Sequence, residues 1–291
     1  MSARFDLQSH SVHSDGELEA AAVVAAAAQA GIEVLALTDH DTVDGVPEAI
    51  EAGALHGVRI VPAIEISALD PDGEDLHILG YGVDHEDAGF GVALERFRAD
   101  RGQRADRMIA ALRDCGFALD AAPLERRRAA GKPIGRPHLA EAVFAHPDNR
   151  ERIEAEGLRH PSAVLEAYLL PGTPAFRARS VPTIADAVTA IHRAGGLAVW
   201  AHPFWDVEDP DEVVATLERF AALGIDGVEA FYITFDEAQT RLLAETAARL
   251  GLLTTGSADF HGLGHDRFNR FGAFQTYGIE PDVERVLERA V

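Results

Sequence analysis

Short apolar runs with the composition of buried strands recur along this sequence, separated by segments with helical character. The runs cover residues 32–38, 58–66, 76–81, 197–201, 227–231 and 252–257. Helix-forming segments cover residues 17–30, 43–56, 183–194, 211–223 and 237–250. Alternation of buried strands with helices is the pattern of a parallel sheet or barrel, so we predict an α/β fold of that kind.

Metal-ligand residue types gather where these runs end, except for His77, which lies inside the run 76–81. They are His10 and Asp15 in the loop after a first short strand, His40, Glu65, His77, His202, Asp259 and His261. Taken singly, His77 or His202 is most simply a buried, hydrogen-bonded core histidine. In a parallel barrel, however, the carboxyl ends of the strands meet at one face. The joint pattern therefore predicts one site built from imidazoles and carboxylates.

The strand and helix alternation is interrupted between about residues 87 and 181. This stretch reads as helices broken by Pro and Gly, at residues 131–137 and 171–174. We predict a barrel whose first part is residues 1–86 and whose second part is residues 182–291, with a mostly helical insertion over residues 87–181.

Composition limits the classes of partner. With 291 residues, 47% of them hydrophobic, the chain can bury a large core, and its length fits either one barrel or two modest domains. The net charge of −22 opposes binding to long nucleic acids, although cations in a pocket could still admit a small anion. The single cysteine, and the lack of a signal segment or an apolar run able to span a bilayer, predict a cytoplasmic protein with no membrane association.

Several ordered motifs resemble those of the PHP (polymerase and histidinol phosphatase) family of the amidohydrolase superfamily. They are residues 6–16, residues 37–42, Glu65, residues 201–203 and residues 257–262. Residues 135–138 and 168–172 of the insertion are similar to the nucleoside 3′,5′-bisphosphate phosphatase subgroup. The resemblance implies a distorted (β/α) barrel with fewer than eight strands.

The resemblance also implies two to three divalent metal ions. The implied ligand sets are His10, Glu65 and Asp259; Glu65, His77 and His202; and Asp15, His40 and His261. Imidazole and carboxylate donors without thiolate suit Mn, Zn or Fe. Asp39 and Asp41 are expected to form hydrogen bonds behind the ligands, or else to be surface loop residues.

Three positions depart from the family pattern. Gln8 stands where the family has the first histidine of His-x-His, and an amide oxygen is the poorer ligand, which predicts a first metal site that is weak, exchangeable or empty. Thr173 replaces the subgroup's lysine, and Phe235 stands near a position where the subgroup often has histidine.

The implied activity is hydrolysis of a small phosphomonoester by water that the metals activate, with no side-chain nucleophile. Arg136 and Arg179 are candidates for binding phosphate, assisted by His138, although these arginines could equally pair with surface carboxylates. The specific expectation is a nucleotide substrate, a nucleoside 3′,5′-bisphosphate that loses its 3′-phosphate.

Alternatives to that substrate remain open. They are cleavage of short oligonucleotides or cyclic phosphates, a histidinol phosphate-type reaction, and a metal-binding regulatory module without turnover. The sequence fixes neither the resident metal nor the oligomeric state.

Overall fold

In the part of the chain that the structure describes, seven strands follow one another around a single sheet in chain order. They are β1 (Phe5–Asp6), β2 (Val34–Leu37), β3 (Arg59–Leu69), β4 (Asp75–Tyr81), β5 (Leu197–Trp200), β6 (Gly227–Tyr232) and β7 (Leu253–Ser257). The two ends of the sheet meet, because Leu7 N donates to Gly256 O at 3.2 Å and Ser9 pairs with Phe260 in a parallel bridge. The result is a nearly closed barrel with fewer than eight strands, which confirms the distorted barrel predicted from the sequence.

The computed structural model describes residues 4–70, 75–129, 134–178 and 180–291. The helices are α1 (Ala20–Gln29), α2 (Val46–His56), α3 (Ala88–Asp114), α4 (Ala121–Ala129), α5 (Arg136–Phe144), α6 (Arg150–Ala155), α7 (Pro161–Tyr168), α8 (Ile184–Arg193), α9 (Pro203–Asp206), α10 (Pro210–Ala222), α11 (Glu237–Leu250) and α12 (Glu284–Leu287). Within the described ranges, none of these helices combines the length and apolar character needed to span a bilayer.

The chain divides into two compact units. One comprises Met1–Leu94 with Pro182–Val291 and contains the barrel, and the other comprises Glu95–Val181. The second unit has its own core of helix side chains, including Met108, Leu112 and Val164. The boundaries placed after residues 86 and 181 remain a prediction about which segments fold as independent units.

Strand β4 is antiparallel to both of its neighbours, whereas the sequence pattern predicted parallel strands. Only a short segment, residues 70–74, separates β3 from β4, and a parallel pair needs a crossover of a dozen or more residues. The reversal brings the first residues of β4 to the end of the barrel where the other strands, which run parallel to one another, terminate. His77, which pairs with Ser67, therefore lies at that end.

The two-residue period of the strands decides which side chains point into the barrel. In β3, Val61 and Ala63 belong to the interior core, and Glu65 follows them on the same face. In β4, Leu79 and Tyr81 belong to that core, and His77 precedes them on the same face. On the opposite face, the strands pack against helices: Leu35, Leu37 and Ile60 contact residues of α1 and α2.

A matched pair of glycines tests the packing of helices on the barrel. A Cβ added at Gly53, inside α2, would lie 2.5 Å from Val58 O, whereas one added at Gly91, inside α3, meets nothing within 4 Å. We expect Gly53→Ala to lower the free energy of unfolding by about 1–3 kcal/mol through overpacking. Gly91→Ala should raise it by roughly 0.5–1 kcal/mol, because alanine loses less backbone entropy. Urea unfolding measures both, and shifts of the same sign would contradict the packing described.

Candidate metal centre

The carboxylate of Glu65 is the central group of a cluster at the mouth of the barrel. Its Oε1 lies 2.8 Å from His77 Nδ1 and 3.0 Å from His202 Nε2. Its Oε2 lies 3.1 Å from His10 Nε2 and 3.6 Å from His40 Nδ1. Four imidazoles from four separate segments of the chain thus surround one buried carboxylate.

Asp15 joins the outer imidazoles of the same cluster. Its Oδ2 lies 3.5 Å from His40 Nε2, and its Oδ1 lies 3.5 Å from His261 Nε2 and 3.6 Å from His10 Nδ1. Ligand atoms of these four residues all lie within 4.8 Å of one another. The Asp15 side chain is 50% exposed, so this is the side of the cluster that faces solvent.

Asp259 completes the inner part of the cluster. Its Oδ1 lies 3.1 Å from His10 Nε2 and 3.6 Å from His261 Nδ1. Its Oδ2 accepts a hydrogen bond of 2.7 Å from the buried hydroxyl of Tyr232. His10, Glu65 and Asp259 are buried together and form a compact group of potential ligands.

Several buried polar atoms of the cluster lack a hydrogen-bond partner among the described residues. They are His10 Nε2, His40 Nδ1, Asp259 Oδ1, His202 Nδ1 and Asp206 Oδ2. Unsatisfied buried polar atoms are uncommon, and a bound cation is one of the ways in which they are satisfied. The donor set of imidazoles and carboxylates is the one that divalent transition metals bind. The residues therefore form a cluster capable of binding metal ions.

Mutual electrostatics keep the carboxylates of the cluster ionised. Burial alone would raise the pKa of Glu65, but His40, His77 and the other imidazoles hold it well below its usual range. For His10, burial disfavours the charged ring, yet the adjacent Asp259 and Glu65 carboxylates raise its pKa well above the ordinary value. Binding of cations here would displace protons from such imidazoles.

Three residues of the site have left-handed backbone conformations. Asp41, His202 and Asp259 have φ values of 56°, 30° and 52°, and Tyr277 is the fourth non-glycine residue with positive φ in the described part of the chain. Such conformations cost free energy and persist where surrounding contacts enforce them, often at functional sites. One such contact is the 2.9 Å hydrogen bond that His202 N donates to Glu229 Oε2.

Asp39 and Asp41 form hydrogen bonds with the backbone and hydroxyl groups next to the ligands. Asp39 accepts from Ser11 N at 2.7 Å, from Ser11 Oγ at 2.6 Å and from Ser14 Oγ at 2.7 Å. Asp41 Oδ1 accepts from Ser67 N at 3.0 Å. Asp39 thus ties the loop that carries His10 to the end of β2.

Gln8 lies directly beside Glu65. Its Nε2 donates to Glu65 Oε2 at 3.0 Å, and its Oε1 lies 3.3 Å from Ser257 Oγ. Ser257 Oγ also donates to Glu229 Oε1 at 2.6 Å, and burial raises the pKa of Glu229 to about 8. In this arrangement the amide presents an N–H group, not a lone pair, to the cluster.

Sequence reasoning missed two residues that lie behind proposed ligands, Asp206 at ion-pair distance and Tyr232 through a hydrogen bond. Asp206 Oδ2 lies 3.4 Å from His202 Nδ1, and Tyr232 donates to Asp259. A carboxylate or other partner behind a ligand group fixes its orientation. The spacing of four residues between His202 and Asp206 was the available signal, while Tyr232 ends an apolar strand and has no distinguishing pattern.

The residues predicted to bind phosphate lie elsewhere in the chain. Arg136 begins α5 in the helical unit, and His138 is partly buried in the first turn of the same helix. Gly135 N donates to His138 Nδ1 at 3.0 Å. Burial of the ring, together with the smaller effect of the positive charge on Arg127, lowers the pKa of His138. Arg179 lies outside the described residues. The roles of all three remain predictions.

The family model described as the PHP domain matches residues 6–118. Three characterised bacterial proteins are similar over most of their length. A 3′,5′-nucleoside bisphosphate phosphatase of Chromobacterium violaceum is 31% identical over 266 residues, covering 90% of this chain and 88% of that protein. A phosphoribosyl 1,2-cyclic phosphate 1,2-diphosphodiesterase of Eggerthella lenta is 32% identical, covering 88% and 94%. A 5′-3′ exoribonuclease of Haemophilus influenzae is 29% identical, covering 90% and 91%.

Two solved structures resemble the whole chain. An amidohydrolase from Chromobacterium violaceum, crystallised with sulfate and no metal, has a TM-score of 0.76 and 28% identity, covering 99% of this chain and 98% of that one. A protein from Bifidobacterium adolescentis assigned as a metal-dependent phosphoesterase has a TM-score of 0.74 and 27% identity, covering 100% and 98%.

Two aspartates of one loop test the support that Asp39 gives to the site. Asp39→Asn replaces a carboxylate that accepts three hydrogen bonds, so we expect a loss of about 2–3 kcal/mol in the free energy of unfolding. Asp44→Asn changes an exposed residue five positions later, so it should change the free energy of unfolding by no more than about 0.5 kcal/mol. Urea unfolding in a chelator, which removes any contribution of metal, makes the comparison. Equal effects would mean that Asp39 does not anchor the loop.

Proposed function

This chain belongs to the PHP domain family, and from that membership we propose that it is a metal-dependent phosphoesterase acting on a nucleoside 3′,5′-bisphosphate. The reaction releases the 3′-phosphate and leaves a nucleoside 5′-monophosphate. The observation that carries the proposal is the convergence of imidazole and carboxylate groups on Glu65 at the barrel mouth. The names of the similar bacterial proteins, a nucleoside bisphosphate phosphatase, a cyclic phosphate diphosphodiesterase and an exoribonuclease, support it.

We assign the cluster to two or three divalent cations, with Mn, Zn and Fe all suited to the donors. The sets are His10 with Glu65 and Asp259, Glu65 with His77 and His202, and Asp15 with His40 and His261. Glu65 would serve as the bridging ligand between the first two sets, because its Oε1 faces His77 and His202 and its Oε2 faces His10. The distances between donor atoms and their burial support this division.

Cations held there would polarise the phosphate ester and ready a water for attack, so the chain needs no side-chain nucleophile. The residues themselves supply position and orientation. Asp206 lies at ion-pair distance, 3.4 Å, from the His202 ring, and Tyr232 holds the Asp259 carboxylate through a hydrogen bond. Asp15, half exposed, marks the side from which the ester approaches.

Phosphodiester cleavage is the second candidate. The proteins named for cyclic phosphate and for exoribonuclease activity are 32% and 29% identical to this chain, beside 31% for the bisphosphate phosphatase, so similarity does not rank them. The same residues would serve either reaction, because both need an attack of water on phosphorus, which divalent cations held by the cluster would assist.

A substrate panel separates these functions. The enzyme is supplied in turn with Mn, Zn and Fe and given adenosine 3′,5′-bisphosphate, a 5′-phosphorylated dinucleotide, a ribose cyclic phosphate, histidinol phosphate and glycerol phosphate. Preference for the bisphosphate supports the proposal, and preference for a diester supports the second candidate. Stoichiometric metal without turnover on any ester would instead indicate a metal-binding regulatory module.

Glu65→Gln tests the bridging ligand. We expect it to lower metal content and to reduce kcat/KM for adenosine 3′,5′-bisphosphate by more than about 100-fold, since even changes behind the ligands cost 10–100-fold. The exposed Glu51 offers the matched control Glu51→Gln, which should keep the metal content and the kcat/KM of the wild type. Metal analysis after dialysis and steady-state kinetics provide the measurements. Full metal content in Glu65→Gln would contradict the assignment.

Gln8→His tests whether the first site is weakened by the amide. A histidine would replace an N–H donor beside Glu65 by an imidazole able to bind metal. We expect the variant to retain more metal per chain than the wild type when both are dialysed against graded chelator. Identical retention would show that residue 8 does not control metal occupancy.

A further inference from the structure

An aromatic surface lies beside the cluster in the barrel unit. We define the aromatic ledge as Trp205, His265 and Phe268. Trp205 and Phe268 have ring centroids 5.5 Å apart at 64°, and His265 and Phe268 are 5.1 Å apart. Phe268 is also 5.5 Å from the ring of His261. The ledge thus connects the exposed Trp205 to a proposed metal ligand through two contacts of 5.5 Å each.

The ledge rests on buried aromatic side chains. Phe268 is buried and lies 6.2 Å from Tyr232, which in turn lies 5.2 Å from the buried Phe235. Trp205 itself is 47% exposed, whereas the only other tryptophan of the chain, Trp200, is fully buried in the core. A rigid base with one exposed indole presents a preformed apolar surface at low entropic cost to a ligand.

A cation accompanies the ledge. The guanidinium carbon of Arg267 lies 5.4 Å from the Trp205 ring centroid. Arg267 is exposed, and no carboxylate among the described residues pairs with it. In a chain with a net charge of −22, a cation without an acidic partner beside a metal cluster offers a position for a second anionic group.

We infer that the aromatic ledge and Arg267 form the subsite for the nucleoside part of the substrate, an inference that rests on the proposed function. The nucleobase stacks on Trp205, and Arg267 pairs with the phosphate that is not cleaved. Every nucleobase has a π-face, so stacking selects nucleotides over alkyl phosphates without selecting one base. The ribose spans the distance between Trp205 and the cluster.

Specificity kinetics test the subsite on the full chain loaded with metal. The measured quantity is the ratio of kcat/KM for adenosine 3′,5′-bisphosphate to kcat/KM for glycerol phosphate, which has no base. Trp205→Ala should lower this ratio about 10- to 100-fold, chiefly through KM for the nucleotide, and Trp205→Phe should restore most of it. Arg267→Ala should lower the ratio for the bisphosphate but have a smaller effect when adenosine 3′-monophosphate replaces it.

Arg270→Ala is the matched control, because Arg270 is an exposed arginine of the same segment with no ring contact in the described part of the chain. The Arg270→Ala variant should have the same ratio of kcat/KM for the bisphosphate to kcat/KM for glycerol phosphate as the wild type. An unchanged ratio in both Trp205→Ala and Arg267→Ala, with the wild type active on the bisphosphate, would show that the Trp205 and Arg267 pair only stabilises its loop. A wild type that hydrolyses no ester would overturn the proposed function and the subsite together.

Product binding gives a readout independent of turnover. Adenosine 5′-monophosphate should quench the tryptophan fluorescence of the wild type, because the exposed Trp205 contacts the base while Trp200 is buried. Trp205→Phe should bind with similar affinity by calorimetry but lose the quenching. Quenching that persists in Trp205→Phe, or calorimetric affinity that is unaltered in Trp205→Ala, would place the base elsewhere and overturn the inference.

Discussion

The site depends on the ionised carboxylate of Glu65, buried at the centre of four imidazoles. Burying a lone carboxylate costs several kcal/mol, and the cost is tolerable only where opposite charges or hydrogen bonds compensate it. Here the imidazoles of His10 and His202 take that role, and the pKa of each is raised in turn. The protein thus maintains a pocket of mutually dependent charges that divalent cations would satisfy more fully than protons do.

The barrel topology makes this arrangement possible. The loops after the parallel strands β1, β2, β5 and β7 all lie at one mouth of the barrel. The reversed strand β4 begins at the same mouth, so His77, near its start, lies there too. Glu65 reaches the interior because it continues the inward-facing positions of Val61 and Ala63. Residues separated by up to about 250 positions meet because strand direction and side-chain alternation are both fixed by the sheet.

The sequence predicts most of the strands, helices and clustered residues. It does not predict the features that depend on contacts between elements distant in the chain. Residues 237–250 were predicted to be helical, and α11 has those bounds. Residues 58–66 were predicted as a strand, but β3 continues to Leu69, because its antiparallel partner β4 supplies the hydrogen bonds there. The direction of β4 has no signature in its apolar pattern. Tyr232 likewise gives no local signal, since its role comes only from its hydrogen bond to Asp259.

Charge explains why a chain so acidic can be suited to an anionic substrate. A net charge of −22 repels phosphate at long range, so attraction must arise locally. Cations in the cluster would reverse the sign of the potential at the mouth, where Asp15 is exposed. A metal-free enzyme would then repel its substrate as well as lack its chemistry. Arg267, exposed and without an acidic partner among the described residues, adds a further positive charge beside Trp205. Attraction of this kind acts on an anion that is already at the mouth, because the long-range field of the acidic chain remains repulsive.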